Sequence, residues 1–130
     1  MGEKEIEVDY ICGANLFIRK NVFDEAGCFD EDFFLYFEET EFCFRIKKMG
    51  FRNMLIPKAK ITHFEGKSVE EADFNIFSVK KKSELLFFKK CRGSVSSYVA
   101  KLLYIAGAIF KFILRFDSKQ LKIFKTILKS

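Results

Sequence analysis

The stretch Phe29–Arg45, FDEDFFLYFEETEFCFR, decides how this chain is read. It sets carboxylates among large aromatics, and Glu38, Glu39 and Glu41 place three acids in four positions. From Glu39 onward the spacing is helical. Phe42, Ile46 and Met49 fall at i, i+4 and i+7, which predicts a helix from about Glu39 to Met49. Glu41 and Arg45 lie one turn apart as an ion-pair spacing, and Gly50 is placed to close the helix in a left-handed conformation. The acids therefore sit in a first turn, where each gains about 0.3–1 kcal/mol from the helix dipole. The preceding CFDEDFFLY reads as loop with some turn of helix.

Working outward, Glu5–Arg19 is rich in Ile, Val, Tyr and Phe and is broken by CGAN, which predicts two short strands about a glycine turn or bulge. Asn21 is expected to cap a short helix that Gly27 ends. FRNMLIP and AKITHFEG read as two further strands separated by Pro57. After Gly66 the composition changes. Val69–Lys90 reads as helix with Lys80, Lys81 and Lys82 clustered, and CRGSVSS as a linker in which Ser96 or Ser97 caps the next helix. Val99, Leu102, Leu103, Ala106, Phe110, Ile113 and Leu114 form an apolar stripe. A last helix is expected over Lys119–Lys129. The domains expected are 1–68 and a basic, amphipathic helical region, 69–130.

The 130 residues suffice for one modest domain. Charged residues at 32% beside 49% apolar ones mark a globular chain rather than a disordered one. A net charge of +5 favours anionic partners, membrane surfaces or phosphate-bearing ligands. Cys12, Cys28, Cys43 and Cys91 show no C-x-x-C spacing, which argues against a zinc knuckle and for free thiols in a reducing cytosol. The longest uncharged run near the C-terminus, Leu102–Phe110, is far short of the ~20 apolar residues that span a bilayer. No secretory signal is visible at the start.

The order of pieces, EVDYICGANLFIRKNVFDEAGCFDEDFFLYFEETEFCFRIKKMGFRNMLIPKAKITHFEGKS, resembles the second half of family 2 glycosyltransferases, the rhamnosyltransferase-like branch in particular. That family shows VD-x-x-x-GA, GGFDE-x-FF-x-Y-x-ED-x-D leading into a helix, G(Y/F)-x-x-x-x-P and a strand ending in His. The resemblance covers about Val8–Ser68. It implies an α/β fold: a partial GT-A fold lacking its N-terminal nucleotide-binding half, followed by C-terminal amphipathic helices. No nucleotide-binding βα unit and no D-x-D motif precede Val8, so the chain is expected to be a C-terminal fragment, inactive alone.

The resemblance implies inverting sugar transfer from a nucleotide-sugar to a glycan or lipid-linked acceptor, in cell-surface polysaccharide synthesis. A carboxylate takes the acceptor hydroxyl's proton as that oxygen attacks the anomeric carbon. The family's base position is Glu39 here, preceded by Glu38, and the choice between them stays open because the family has Asp where Glu39 stands. Glu41 then orients the base or the acceptor, and Arg45 holds Glu41 or meets a phosphate. Asp9 and Gly13 match the VD-x-x-x-GA strand on the acceptor side. Asp30, with Glu31, closes over the acceptor or caps a turn. His63, the only histidine, matches the family's metal-ligand position for Mn²⁺ or Mg²⁺, with no tight metal expected in this chain by itself. A cytoplasmic protein is implied, peripheral on the membrane's inner face, capable of self-association and without a nucleic-acid partner. The contrasting reading is a non-catalytic module whose basic C-terminal helices bind membrane or a partner.

Overall fold

The computed structural model describes residues 4–63, 75–115 and 125–128, with the backbone alone for 112–115. Two compact units divide the chain. One comprises Met1–Asp32 and Glu38–Phe74, the other Phe33–Phe37 and Asn75–Ser130.

In the first unit β1 (Ile6–Val8) pairs antiparallel with β2 (Asn53–Leu55), Ile6 opposite Leu55 and Val8 opposite Asn53. Two helices pack against each other in the same unit. Helix α1 (Lys20–Ala26) ends at Gly27, whose φ of 81° is open to glycine and whose N–H donates to Phe23 O at 2.9 Å. Its start differs from expectation. Arg19, not Asn21, occupies the N-cap without a side-chain cap bond. The earlier start brings Lys20 into the helix, where its ammonium reaches the Asp24 carboxylate at 2.7 Å.

Helix α2 (Glu38–Lys48) carries its acids in the first turn and Arg45, Lys47 and Lys48 in the last, as the dipole favours. It closes as expected. Gly50 has φ 93°, and the N–H groups of Gly50 and Phe51 donate to Lys47 O and Ile46 O, both at 3.1 Å. This pair of bonds is a Schellman cap, and it folds the Phe51 ring back against the core. Val22, Phe42 and Ile46 form that core, with Ile18, Phe23 and Ala26 around them. Phe42 is wholly buried, its ring 5.3 Å from that of Phe29 and 6.2 Å from that of Phe23. Truncating such a ring to alanine costs about 3–5 kcal/mol. Met49, expected on the same stripe, lies past the helix end and is exposed.

Two expected strands do not form among the described residues. Gly13–Asn15 is a 3₁₀ turn, closed by Asn15 N–H to Cys12 O at 3.1 Å, and Leu16–Arg19 runs on without a partner. Phe17 is consequently 89% exposed. Ala59 N–H turns back to Ile56 O at 2.9 Å, so the chain after Pro57 bends instead of pairing.

In the second unit, Asn75 Oδ1 accepts from Ser78 N–H at 3.2 Å and starts helix α3 (Ile76–Phe87). A π-helical turn (Phe88–Arg92) follows, and Gly93, at φ 88°, separates it from helix α4 (Ser94–Arg115). The expected linker is thus one residue of non-helical backbone. Ser96 and Ser97 do not cap. They lie within the first turn and donate to Arg92 O (3.1 Å) and Leu85 O (3.0 Å). The segment Phe33–Phe37 packs here. Buried Ser83 donates to Leu35 O at 2.7 Å, and Phe37 stacks on Phe87 at 5.7 Å. Tyr36 and Phe37 both have positive φ, 65° and 71°, a conformation that costs ordinary residues of order 1–3 kcal/mol. Residues 125–128 are helical, with Thr126 bonded to Ser78 at 3.0 Å. Expected strand at 64–66 and expected helix at 69–74, 119–124 and 129 lie outside the described residues.

Candidate active site

The first turn of α2 places three carboxylates in three different environments. Glu41 is buried against the helix face that meets α1, and Arg45 answers it one turn on. The guanidinium Nε donates to Glu41 Oε1 at 3.0 Å, and Nη2 donates to Oε2 at 3.0 Å. The same fork donates to Cys28 O at 2.8 Å and to Ala26 O. Arg45 is therefore a clamp that ties α2 to the chain leaving α1, and Glu41 is the clamp's counter-ion. Both side chains are committed to each other.

Glu38 and Glu39 are different. Each keeps one oxygen, Oε2, shielded from solvent and without a hydrogen-bond partner. Gly13 explains part of the shielding for Glu39. A Cβ built on Gly13 would lie 3.7 Å from Glu39 Cβ and Cγ and 3.9 Å from its carboxyl carbon. The 3₁₀ turn thus lies against the acid, with room left for a methyl group in ordinary contact. Burial pushes the Glu39 pKa up, the neighbouring Glu38 charge pushes it further, and the N–H groups of Glu39 and Thr40 pull it down, with the upward causes dominating.

Beneath Glu39, one turn along α2, sits Cys43. Its thiol is buried and its pKa raised, first by burial, against a hydrogen bond from Ile11 that lowers it, with the Glu39 charge raising it again. Asn53 on β2 is also buried. Its amide donates to Cys43 O at 3.2 Å and to Asp9 O at 3.0 Å, joining helix, ribbon and the segment before the Gly13 turn. Neither residue was among the sequence candidates. The i+4 spacing of Cys43 from Glu39, and a polar Asn in an apolar strand, were the available signals.

The remaining candidates fall around this group. The exposed Asp9 carboxylate accepts from Lys47 at 2.7 Å, and its carbonyl from Asn53. Asp30 accepts from the Asp32 N–H at 3.1 Å, which makes it a turn residue. His63 is exposed. Among the described residues no group of three or more His, Cys, Asp or Glu is disposed to hold a metal ion. A groove of about 460 Å³, lined by Ile11, Leu16, Val22, Ile46 and Phe51 among others, opens elsewhere on this unit, and neither Glu38 nor Glu39 lines it.

With this geometry in hand, the chain's similarities point one way: over part of its length it is similar to proteins named as glycosyltransferases. It is 28% identical over 83 residues to the N-acetylglucosaminyl-diphospho-decaprenol L-rhamnosyltransferase of Mycobacterium tuberculosis, in strains CDC 1551 / Oshkosh and ATCC 25618 / H37Rv, covering 64% of this chain and 27% of that protein. It is 42% identical over 41 residues to the low-salt glycan biosynthesis hexosyltransferase Agl10 of Haloferax volcanii, covering 32% of this chain and 13% of that protein. The aligned part amounts to about a quarter of the rhamnosyltransferase and less of Agl10. No family model and no solved structure matches the chain.

Proposed function

We propose that this chain is the acceptor-side, base-bearing part of an inverting glycosyltransferase of family 2, within a GT-A fold, acting in cell-surface glycan synthesis. The observation that carries the reading is the half-buried Glu39, set against the Gly13 turn beside Glu38 in the first turn of α2. A base at neutral pH must be ionised yet hold a proton well, and partial burial moves a carboxylate toward that condition.

In this reading the acceptor hydroxyl donates to Glu39. As its oxygen attacks the anomeric carbon of the donor sugar, the proton passes to the Glu39 carboxylate. The bond from that carbon to the nucleoside diphosphate breaks, the diphosphate leaves with the electron pair, and the anomeric centre inverts. Glu38 raises the proton affinity of Glu39. Arg45 and Glu41 hold the helix that presents both acids, and Asn53 fixes the strand and the Asp9 segment behind them. Support comes from the rhamnosyltransferase and hexosyltransferase similarities, which make a nucleotide-sugar donor and a glycan or lipid-diphosphate-linked acceptor the substrates to try.

The test is sugar transfer by the complete gene product containing this chain, from candidate nucleotide-sugars to a lipid-diphosphate-sugar acceptor. Glu39→Gln is expected to lower kcat by roughly 10²-fold or more, as loss of a general base does. Near-normal turnover in that variant removes Glu39 from the role.

A further inference from the structure

Helix α4 packs with the wrong side outward. The side turned into its own unit carries small and polar groups. Ala100 and Ala108 are buried, and the Tyr104 hydroxyl donates to Glu84, with the Lys81 ammonium 3.9 Å from the Tyr104 ring centre. The opposite side is the more apolar one and is exposed. Val95, Val99, Leu102 and Ile109 form its centre line, flanked by Tyr98, Leu103 and Phe110, with Leu103 66% and Phe110 63% exposed.

Charge shows what covers this face. Net charge is segregated between the two units. Among the described residues of the second unit there are ten Lys and Arg against one acid, Glu84, and that acid is tied to Lys81 at 2.7 Å and to Tyr104. From Ser94 to Arg115 there is no Asp or Glu. Lys89, Lys90, Arg92 and Lys111 are all exposed. The geometry points to a membrane surface rich in anionic lipid as the occupant, with α4 lying in the plane of the headgroups. A second copy of the helix would be the coiled-coil alternative, since Val95, Val99, Leu102, Ala106 and Ile109 follow heptad spacing. Coiled coils put charged residues beside the seam, however, and here the flanks are Tyr98, Leu103 and Phe110. A broad apolar face with aromatic flanks and purely basic charge is the composition of an interfacial helix. Among the described residues no helix is long and apolar enough to cross a membrane, so α4 lies on the bilayer and does not span it. This inference does not rest on the glycosyl-transfer reading.

The experiment uses the 130-residue chain and vesicles of phosphatidylcholine alone or with phosphatidylglycerol. Because the chain has no Trp, a Tyr98→Trp variant reports directly on the face. Its emission is expected to shift to the blue with anionic vesicles and to stay fixed with neutral ones. Flotation should fall roughly five-fold for each basic residue removed, as in Lys89→Gln or Lys90→Gln, and by about tenfold or more for Leu103→Ser with Phe110→Ser. Unchanged emission with anionic vesicles overturns the proposal. So does flotation indifferent to the Leu103 and Phe110 changes, binding to nucleic acid in preference to vesicles, or a dimer in sedimentation that those changes dissolve while no vesicle binding is seen.

Discussion

Replacing Arg45 with Met tests whether the Glu41–Arg45 pair is a clamp or part of a ligand site. The methionine keeps most of the apolar stem and removes the fork. Glu41, 7% exposed, would then be an ionised carboxylate with no cation beside it, and the carbonyls of Ala26 and Cys28 would lose their donor. Breaking a buried pair from one side costs about 3–5 kcal/mol. Arg45 retains more than a quarter of its side-chain exposure, so the lower end applies, about 3 kcal/mol, or more than a hundred-fold in the unfolding equilibrium. Lys at this position is expected to recover little, because one ammonium cannot serve a carboxylate and two carbonyls at once. The two units need not unfold together, so the readout must belong to the first. Cys43 supplies it. Its buried, high-pKa thiol is alkylated only when that unit opens, and peptide mass spectrometry separates it from the exposed Cys12 and Cys28. The urea midpoint for Cys43 labelling should drop sharply in Arg45→Met. It should return most of the way when Glu41→Leu is added, since the pair is then removed together. A loss below about 1 kcal/mol, or a double variant no better than the single one, would refute the clamp.

Two further outcomes concern Glu39. Its folded pKa lies above its unfolded one, so its contribution to stability is fully present below the unfolded pKa and is lost as pH rises through the folded value. Glu39→Gln should therefore match the wild type near pH 4 and exceed it at pH 7, because the amide carries no charge for burial and Glu38 to penalise; urea midpoints at the two pH values check this, and a variant less stable at pH 7 contradicts it. Gly13→Ala puts a methyl group in ordinary contact with the Glu39 side chain without straining the backbone. The Glu39 titration midpoint, followed by carboxyl carbon NMR, should move further up, and an unmoved midpoint would place the turn elsewhere.

Local signals were readable in the sequence, and the structure returns them nearly to the residue. Gly27 and Gly50 end α1 and α2, and Glu41 finds Arg45 one turn away. These depend on residues within four or five positions. What the sequence did not disclose depends on distant partners. Strand propensity in Leu16–Arg19 was real, but a strand requires a neighbour, and none is present among the described residues. The reach of Arg45 to Ala26 and Cys28 crosses 19 and 17 positions. Of the three acids of EETE, spacing singled out Glu41 as the partner of Arg45, but not the surroundings of the other two. Helical rotation turns Glu41 toward Arg45, while Glu38 and Glu39 each keep one oxygen, Oε2, without a partner. Asp30 was legible as a turn residue, but the bond between Asp9 and Lys47, 38 positions apart, was not.

The Schellman close of α2 leaves only Phe51 and Arg52 between Gly50 and the first residue of β2. Arg52 is exposed and free to vary in kind. The count is not free. One inserted or deleted residue would slide β2 by a single place, and in a strand that exchanges its two faces. After a deletion Met54 would stand where the Asn53 amide now ties Cys43 to Asp9, and an apolar side chain can tie neither; after an insertion the residue before Asn53 would stand there instead. Descendants of this sequence can therefore drift at this corner by substitution but not by length. A one-residue gap here in any related chain would mark the point at which the site behind Glu39 had been taken apart.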